Sequence, residues 1–265
     1  MTQLLYKILL GALLGGSGCA LVGFLMVNLR LPFLAVCLSH AALAGAVLGH
    51  LFGLPTLPAA FGAAMLAALI LGPLSDATDA DPNMAMAILF SVSLGLAFLG
   101  IGLTPGPKSE VLSLIWGSIL LVRWRDVLWM GIALGVAILV IWGFFKEFKA
   151  ILFDRRLAGL SGIRTHLLFY GLLVVTGGVI TVNLYTIGGL MLFSLLVNPA
   201  AAALQLGLRF GLALPVSVLF GVLSAVTGLA VSFFLGWPAG ASIVVVSSLI
   251  FLSAVVFRIA RGRET

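Results

Sequence analysis

The chain has 265 residues, of which 62% are hydrophobic and 8% charged, and fourteen Lys and Arg against eight Asp and Glu give it a net charge of +6. A soluble domain uses about 25% charged residues to meet water, and a disordered chain is far poorer in apolar residues. With a mean hydropathy of +1.29, the chain is neither, and lipid must be the solvent for most of its surface.

The charges are clustered. No Asp, Glu, Lys or Arg occurs at 31–75, 82–107, 165–208 or 210–257. An apolar helix crosses the hydrocarbon core in about 20 residues, so three of these stretches have room for two crossings each. A membrane barrel would alternate polar and apolar residues at every second position, whereas these runs are apolar throughout. The reading is an all-α, polytopic membrane protein of about eight to nine spans, with 1–265 forming one transmembrane domain. In chain order the spans are expected at 5–28, 32–53, 57–74, 83–103, 127–146, 167–186, 188–206, 212–235 and 240–258. The first is read as a span rather than a signal peptide, because its apolar run continues to Val27 with no small-residue cleavage pattern closing a short core. Pro32, Pro55, Pro58, Pro82, Pro215 and Pro238 fall at or near proposed starts, where proline is tolerated. Residues 111–121 are apolar but would cover only about 16 Å as a helix, and are read as an interfacial or re-entrant piece. Gly11 and Gly15, and Gly45, Gly49 and Gly53, have the spacing at which small residues let helices approach closely, and are read as packing positions within one bundle.

Lys and Arg gather on the cytoplasmic side of membrane proteins. The polar stretch 147–166 and its border carry Lys146, Lys149, Arg155, Arg156 and Arg164, and the C-terminal tail carries Arg258, Arg261 and Arg263. Both should be cytoplasmic, and the four spans between them agree. Nine spans put the N-terminus outside, with Lys7, Lys108, Arg123 and Arg125 on the outer side. A ten-span count with the N-terminus inside fits the charges equally well.

Several chemistries are missing. No Gly-x-x-x-x-Gly-Lys-Ser/Thr loop is present, so the chain cannot hydrolyse ATP by that route. The eight acids fall in expected loops or at span ends, which leaves no carboxylate at membrane depth to relay protons or sodium. The energy source is therefore expected on another subunit. The two cysteines, Cys19 and Cys37, lie in apolar segments and make no disulfide framework. Ser39 and His40 are adjacent, so they point about 100° apart on a helix and make a poor nucleophile–base pair.

Few polar side chains remain at depth: Asn28, His40, His50, Asn183 and Asn198. An ionisable group buried in a bilayer is a functional candidate by default. His40 and Cys37, three residues apart, share a helix face, and imidazole with thiolate suits zinc. Two ligands are half a site, so the rest would come from other helices, a second copy or water. The competing reading makes His40 an interhelical hydrogen-bond donor and Cys37 a small buried hydrophobe. His50, about 15 Å further along the axis, either captures a cation near the outer mouth or is an ordinary interfacial histidine. Asn198 precedes Pro199, whose ring frees a carbonyl in the preceding turn. That pair either lines a pathway or marks a packing kink.

Four segments, in order, match a known pattern: LSHAALAG at 38–45, FDRRLAGLSG at 153–162, IGGLMLFSLLVNPAA at 187–201 and SFFLGWPAGA at 232–241. With them the whole chain resembles the permease subunit of bacterial metal-ion ABC importers, the zinc, manganese and iron family. The resemblance implies an inner-membrane protein that is not itself an enzyme and binds no cofactor tightly. Its cargo is a divalent transition-metal ion, with zinc favoured and manganese or iron as alternatives. The implied partners are a cytoplasmic ATPase, an extracytoplasmic metal-binding protein and a second permease copy, with no nucleic acid. The expected metal pathway is His40, Cys37, His50 and Asn198. The expected ATPase contacts are Asp154, Arg155 and Arg156, together with Leu204, Gln205 and Arg209 in a cytoplasmic segment at 204–212. The family pattern places Asp four residues before the signature histidine, but this chain has Val36 there. That change weakens a carboxylate–imidazole site and tilts selectivity toward zinc if Cys37 compensates. The alternative function is a stand-alone metal channel or secondary carrier, which the missing intramembrane acids disfavour.

Overall fold

Long charge-free runs leave the backbone one way to satisfy its N–H and C=O groups in lipid, which is helix formation. A computed structural model describes residues 2–78, 82–105, 119 and 122–262. It shows helices α1 (Thr2–Asn28), α2 (Leu34–Leu51), α3 (Thr56–Thr78), α4 (Pro82–Leu103), α5 (Trp124–Gly143), α6 (Phe145–Phe153), α7 (Arg155–Leu160), α8 (Thr165–Ile187), α9 (Gly189–Gln205), α10 (Phe210–Leu235) and α11 (Ala239–Gly262). Among the described residues, nine long helices stand where nine spans were expected. Seven of them are long and apolar enough to cross a membrane, and Thr56–Leu71 and Met191–Gln205 are shorter apolar stretches.

Three boundaries differ for identifiable reasons. Helix α5 begins three residues early because the carboxylate of Asp126 accepts the Arg123 N–H at 2.8 Å, satisfying one orphan donor of the first turn. Helix α3 continues past Pro73 to Thr78, and α10 begins at Phe210, which puts Pro215 in its second turn rather than at its start. Residues 204–212 form no helix of their own. They join the last turn of α9 to the first turn of α10 through Gly207 at φ +64°, a left-handed conformation that suits glycine. The proposed interfacial helix at 111–121 lies outside the described residues apart from Ile119.

Ring and backbone contacts fix which helix ends meet. Phe24 near the end of α1, Phe210 at the start of α10 and Phe145 at the start of α6 stack in series, with centroids 5.2 and 5.5 Å apart. Gln205 at the end of α9 accepts a hydrogen bond from Arg258 near the end of α11 at 2.8 Å. These contacts define one end of the bundle. At the opposite end, the Lys7 ammonium lies 5.6 Å from the Trp124 ring centroid, and Gly100 of α4 lies against Val47 and Leu48 of α2. Helices α4 and α5 therefore face the gap between them from the same end, and the nine described long helices alternate in direction as nine crossings require.

The packing is close at small residues. Helix α2 runs against α3 where Gly45 and Gly49 face Ala59 and Ala63, and α1 runs against α9 and α10 where Gly23 meets the Leu196 backbone and Gly16 meets Gly221. Gly11 packs beside Ile119 and Val122. Gly53 differs from the packing role expected of it. It ends α2 at φ +70° with nothing near the position a Cβ would take. The core gathers Phe24, Leu34, Leu38, Leu173, Ile180 and Met191. Leu128, Ile132, Leu139 and Trp142 of α5 and Leu249, Leu252 and Val256 of α11 point outward, as lipid-facing residues do.

Candidate metal pathway and cytoplasmic face

His40 stands two turns into α2, and its partly buried ring meets Phe90 of α4 edge-on at 4.7 Å. Phe33 braces the same Phe90 ring at 5.5 Å. The Nδ1 of His40 lies 2.9 Å from the Val36 carbonyl oxygen. A carbonyl can only accept, so Nδ1 carries the proton and Nε2 keeps its lone pair, the form in which imidazole binds a metal. The Ser39 hydroxyl donates to the same carbonyl at 2.9 Å. Both side chains are thus donors toward one acceptor, and Nδ1 is not available as a base for Ser39. No polar partner engages Nε2 among the described residues. Val36, where the family pattern has Asp, contributes its backbone oxygen to the ring's orientation, and Phe90 supplies the wall. Phe90 carries no signal of this role, because a contact across fifty residues has no local signature.

Cys37 is 1% exposed and packs into the apolar core. Among the described residues, no group of three His, Cys, Asp or Glu side chains is gathered in one place. His50 is exposed in the last turn of α2, at the end opposite the basic loops. Asn28 spends its amide on the Phe24 carbonyl at 2.7 Å. Asn198 does not present its amide to open space. It donates to Ser247 and Ser248 of α11 at 3.0 and 3.1 Å, and both serines donate onward to the Val244 carbonyl.

The polar stretch 147–166 is not a plain loop but holds the short helices α6 and α7. Asp154 joins them, its carboxylate accepting the Leu157 N–H at 3.1 Å, as an N-terminal helix cap does. The side chains of Arg155 and Arg156 lie outside those described. Phe153, at the end of α6, and Leu160 are each 86% exposed and Leu157 is 54% exposed; the extended backbone at Asp154 separates Phe153 from the two leucines of α7, so helical spacing alone does not relate the three. Leu204 is 36% exposed and Arg209 is exposed beside it, while Gln205 is held by Arg258. This end also carries Arg30, Lys146, Lys149, Arg164 and Arg261.

The model of the ABC 3 transport family matches residues 1–258. The manganese transport system membrane protein MntC of Halalkalibacterium halodurans is 28% identical over 259 residues, covering 97% of this chain and 88% of that protein. The chelated iron transport system membrane protein YfeC of Yersinia pestis is 29% identical over 250 residues, covering 93% and 84%. Among solved structures, PsaBC from Streptococcus pneumoniae in complex with Fab superposes with a TM-score of 0.84 at 26% identity, covering 95% of this chain and 90% of that one. With the fold, the ordered motifs and a family match over nearly the full length in agreement, the chain belongs to the ABC 3 transport family, as a multi-pass membrane permease whose ATPase is a separate subunit.

Proposed function

We propose that this permease carries a divalent transition-metal ion inward, that zinc is its favoured cargo, and that alternating access is driven by an ATPase bound at the basic end. The observation that carries the reading is the His40 ring, held within α2 with neither a partner on Nε2 nor a carboxylate beside it among the described residues. Imidazole suits zinc, iron, copper and nickel, whereas manganese prefers carboxylate and water oxygens. Zinc is therefore favoured on ligand chemistry, although the names of the relatives point to manganese and chelated iron. A cation in the pathway reaches partly buried His40 before fully buried Cys37. His50, at the other end of α2, lies at the entrance, where an extracytoplasmic binding protein delivers the metal.

The basic end is the cytoplasmic one by the distribution of Lys and Arg. There the α6–α7 segment and the α9–α10 turn offer the ATPase exposed apolar side chains (Phe153, Leu157 and Leu160), flanked by Asp154, Arg155, Arg156, Leu204, Gln205 and Arg209. Each chain contributes half of the pathway and a second copy supplies the other half, because one imidazole leaves a metal's coordination incomplete.

The test is uptake by the reconstituted complex of permease, ATPase and binding protein, with zinc, manganese and iron in competition. ATP-dependent uptake with zinc outcompeting manganese by about tenfold or more is expected. Preferred uptake of manganese would transfer selectivity to the binding protein. Full-rate zinc flux through the permease alone would favour a channel.

A further inference from the structure

Resting on the permease reading, we propose that Asn198 is a positioning residue that locks α9 and α11 into one moving body with α1 and α10, and that access changes along the α1–α8 seam. The first half follows from where the helices are joined by their backbones and by long-range polar bonds. Gly16 and Gly221 bring α1 and α10 into backbone contact, Gly23 meets the Leu196 backbone of α9, and Gly228 of α10 meets the Ile243 backbone of α11. The Ser217 hydroxyl of α10 donates to the Ala20 carbonyl of α1 at 3.2 Å. Asn198 then ties α9 to both Ser247 and Ser248 of α11, and Gln205 ties them again seven residues on, through Arg258 at 2.8 Å. The two ties lie along parallel helices on either side of Pro199. A push at the turn after Gln205 therefore reaches α11 directly.

The second body is joined mainly through side chains, with one backbone approach where Gly45 of α2 meets the Ala59 carbonyl of α3. Gly45 and Gly49 of α2 face Ala59 and Ala63 of α3, Gly100 of α4 meets Val47 of α2, and Gly177 of α8 meets Met65 of α3. His40 belongs to this body through Phe90. Where α1 crosses α8, Gly15 and Gly18 face the side chains of Asn183, Val179 and Ile187, with no backbone closer than ordinary contact. Here Asn183 is 2% exposed, its amide bonds back to Val179 at 2.7 Å, and its carbonyl oxygen has no partner among the described residues. The Thr176 hydroxyl, two turns away on α8, is likewise buried without one. Buried polar atoms are normally paired, so a seam that leaves them open in this arrangement is one that pairs them in another.

Two experiments on the reconstituted complex test this. In the first, Asn198→Ala and the double variant Ser247→Ala with Ser248→Ala should each raise the ATP hydrolysed per metal ion transported by at least about threefold. The KM for metal should stay within about twofold, and the triple variant should be no worse than either. A KM that rises in Asn198→Ala alone, with the serine variant like wild type, would make Asn198 a cargo contact and overturn the proposal. In the second, Gly18→Cys is paired with Val179→Cys, whose side chains meet at 3.6 Å from a Cβ built at Gly18. The pair is made with Cys19→Ala and Cys37→Ala, so that oxidation can link only the new cysteines; the link should stop uptake and be reversed by reductant. Linked complex that transports at the unlinked rate would overturn the seam. Wild-type complex without ATP-driven metal uptake would instead sink the permease reading on which both rest.

Discussion

His40 shows how little a side chain in lipid can be left to itself. A carbonyl one turn back orients its ring and holds the proton on Nδ1, an aromatic edge walls it, and neither device adds charge to the hydrocarbon. The neighbouring Cys37 shares the helix face by spacing, yet its thiol points into packed side chains. The burial of each side chain, rather than spacing, separates a reachable ligand from a core residue. His40→Ala should therefore lower the initial rate of metal uptake at least about tenfold, while the permease still inserts and still binds its ATPase in pull-down. An unchanged rate would reduce His40 to a packing group against Phe90.

At the scale of the element, the helices approach through glycines whose missing Cβ is the contact. Without a hydrophobic drive between helices, close packing supplies much of their association. Gly23→Ala would set a methyl on the Leu196 carbonyl and should destabilise the folded protein by about 1–3 kcal/mol, the usual range for overpacking. Gly62, which has nothing within 4 Å of its built Cβ, should accept Ala with no loss. The comparison is read as melting of the purified protein in detergent. Equal melting of the two variants would mean that α1 and α9 are not in the contact described. Proline behaves consistently at this scale. Pro73 and Pro199 sit inside α3 and α9, a position tolerated in membrane helices when neighbours re-satisfy the freed carbonyl.

For the whole molecule, the distribution of charge and of exposed apolar side chains makes the two ends unlike. A cysteine in place of Ser161, exposed after α7, should react with a membrane-impermeant maleimide only when the cytoplasmic side is opened. A cysteine in place of Leu54, 57% exposed after α2, should react from outside. The reverse pattern would invert the orientation and with it the site of ATPase docking. Leu160→Asp, at a side chain as exposed as Phe153, should weaken association with the ATPase about tenfold or more in a titration of detergent-solubilised subunits, with little change in melting. Retained affinity would move the docking surface to the α9–α10 turn alone.

Composition determined the solvent of this protein, and the charge-free runs determined that helices would fill it, because a backbone in hydrocarbon must bond to itself. The nine long helices, their boundaries to within a few residues, and the gathering of basic residues in a few loops were legible for that reason. So was the family, through four ordered motifs. What tertiary structure decided were relations between residues far apart in the chain. Phe90 sits against His40, Asn198 is committed to serines fifty residues away, 147–166 folds into two helices capped at Asp154, and Leu103 and Trp124 lie at one end of the bundle. No local pattern encodes such pairings, since in a uniformly apolar helix every face looks alike until a neighbour selects one of them.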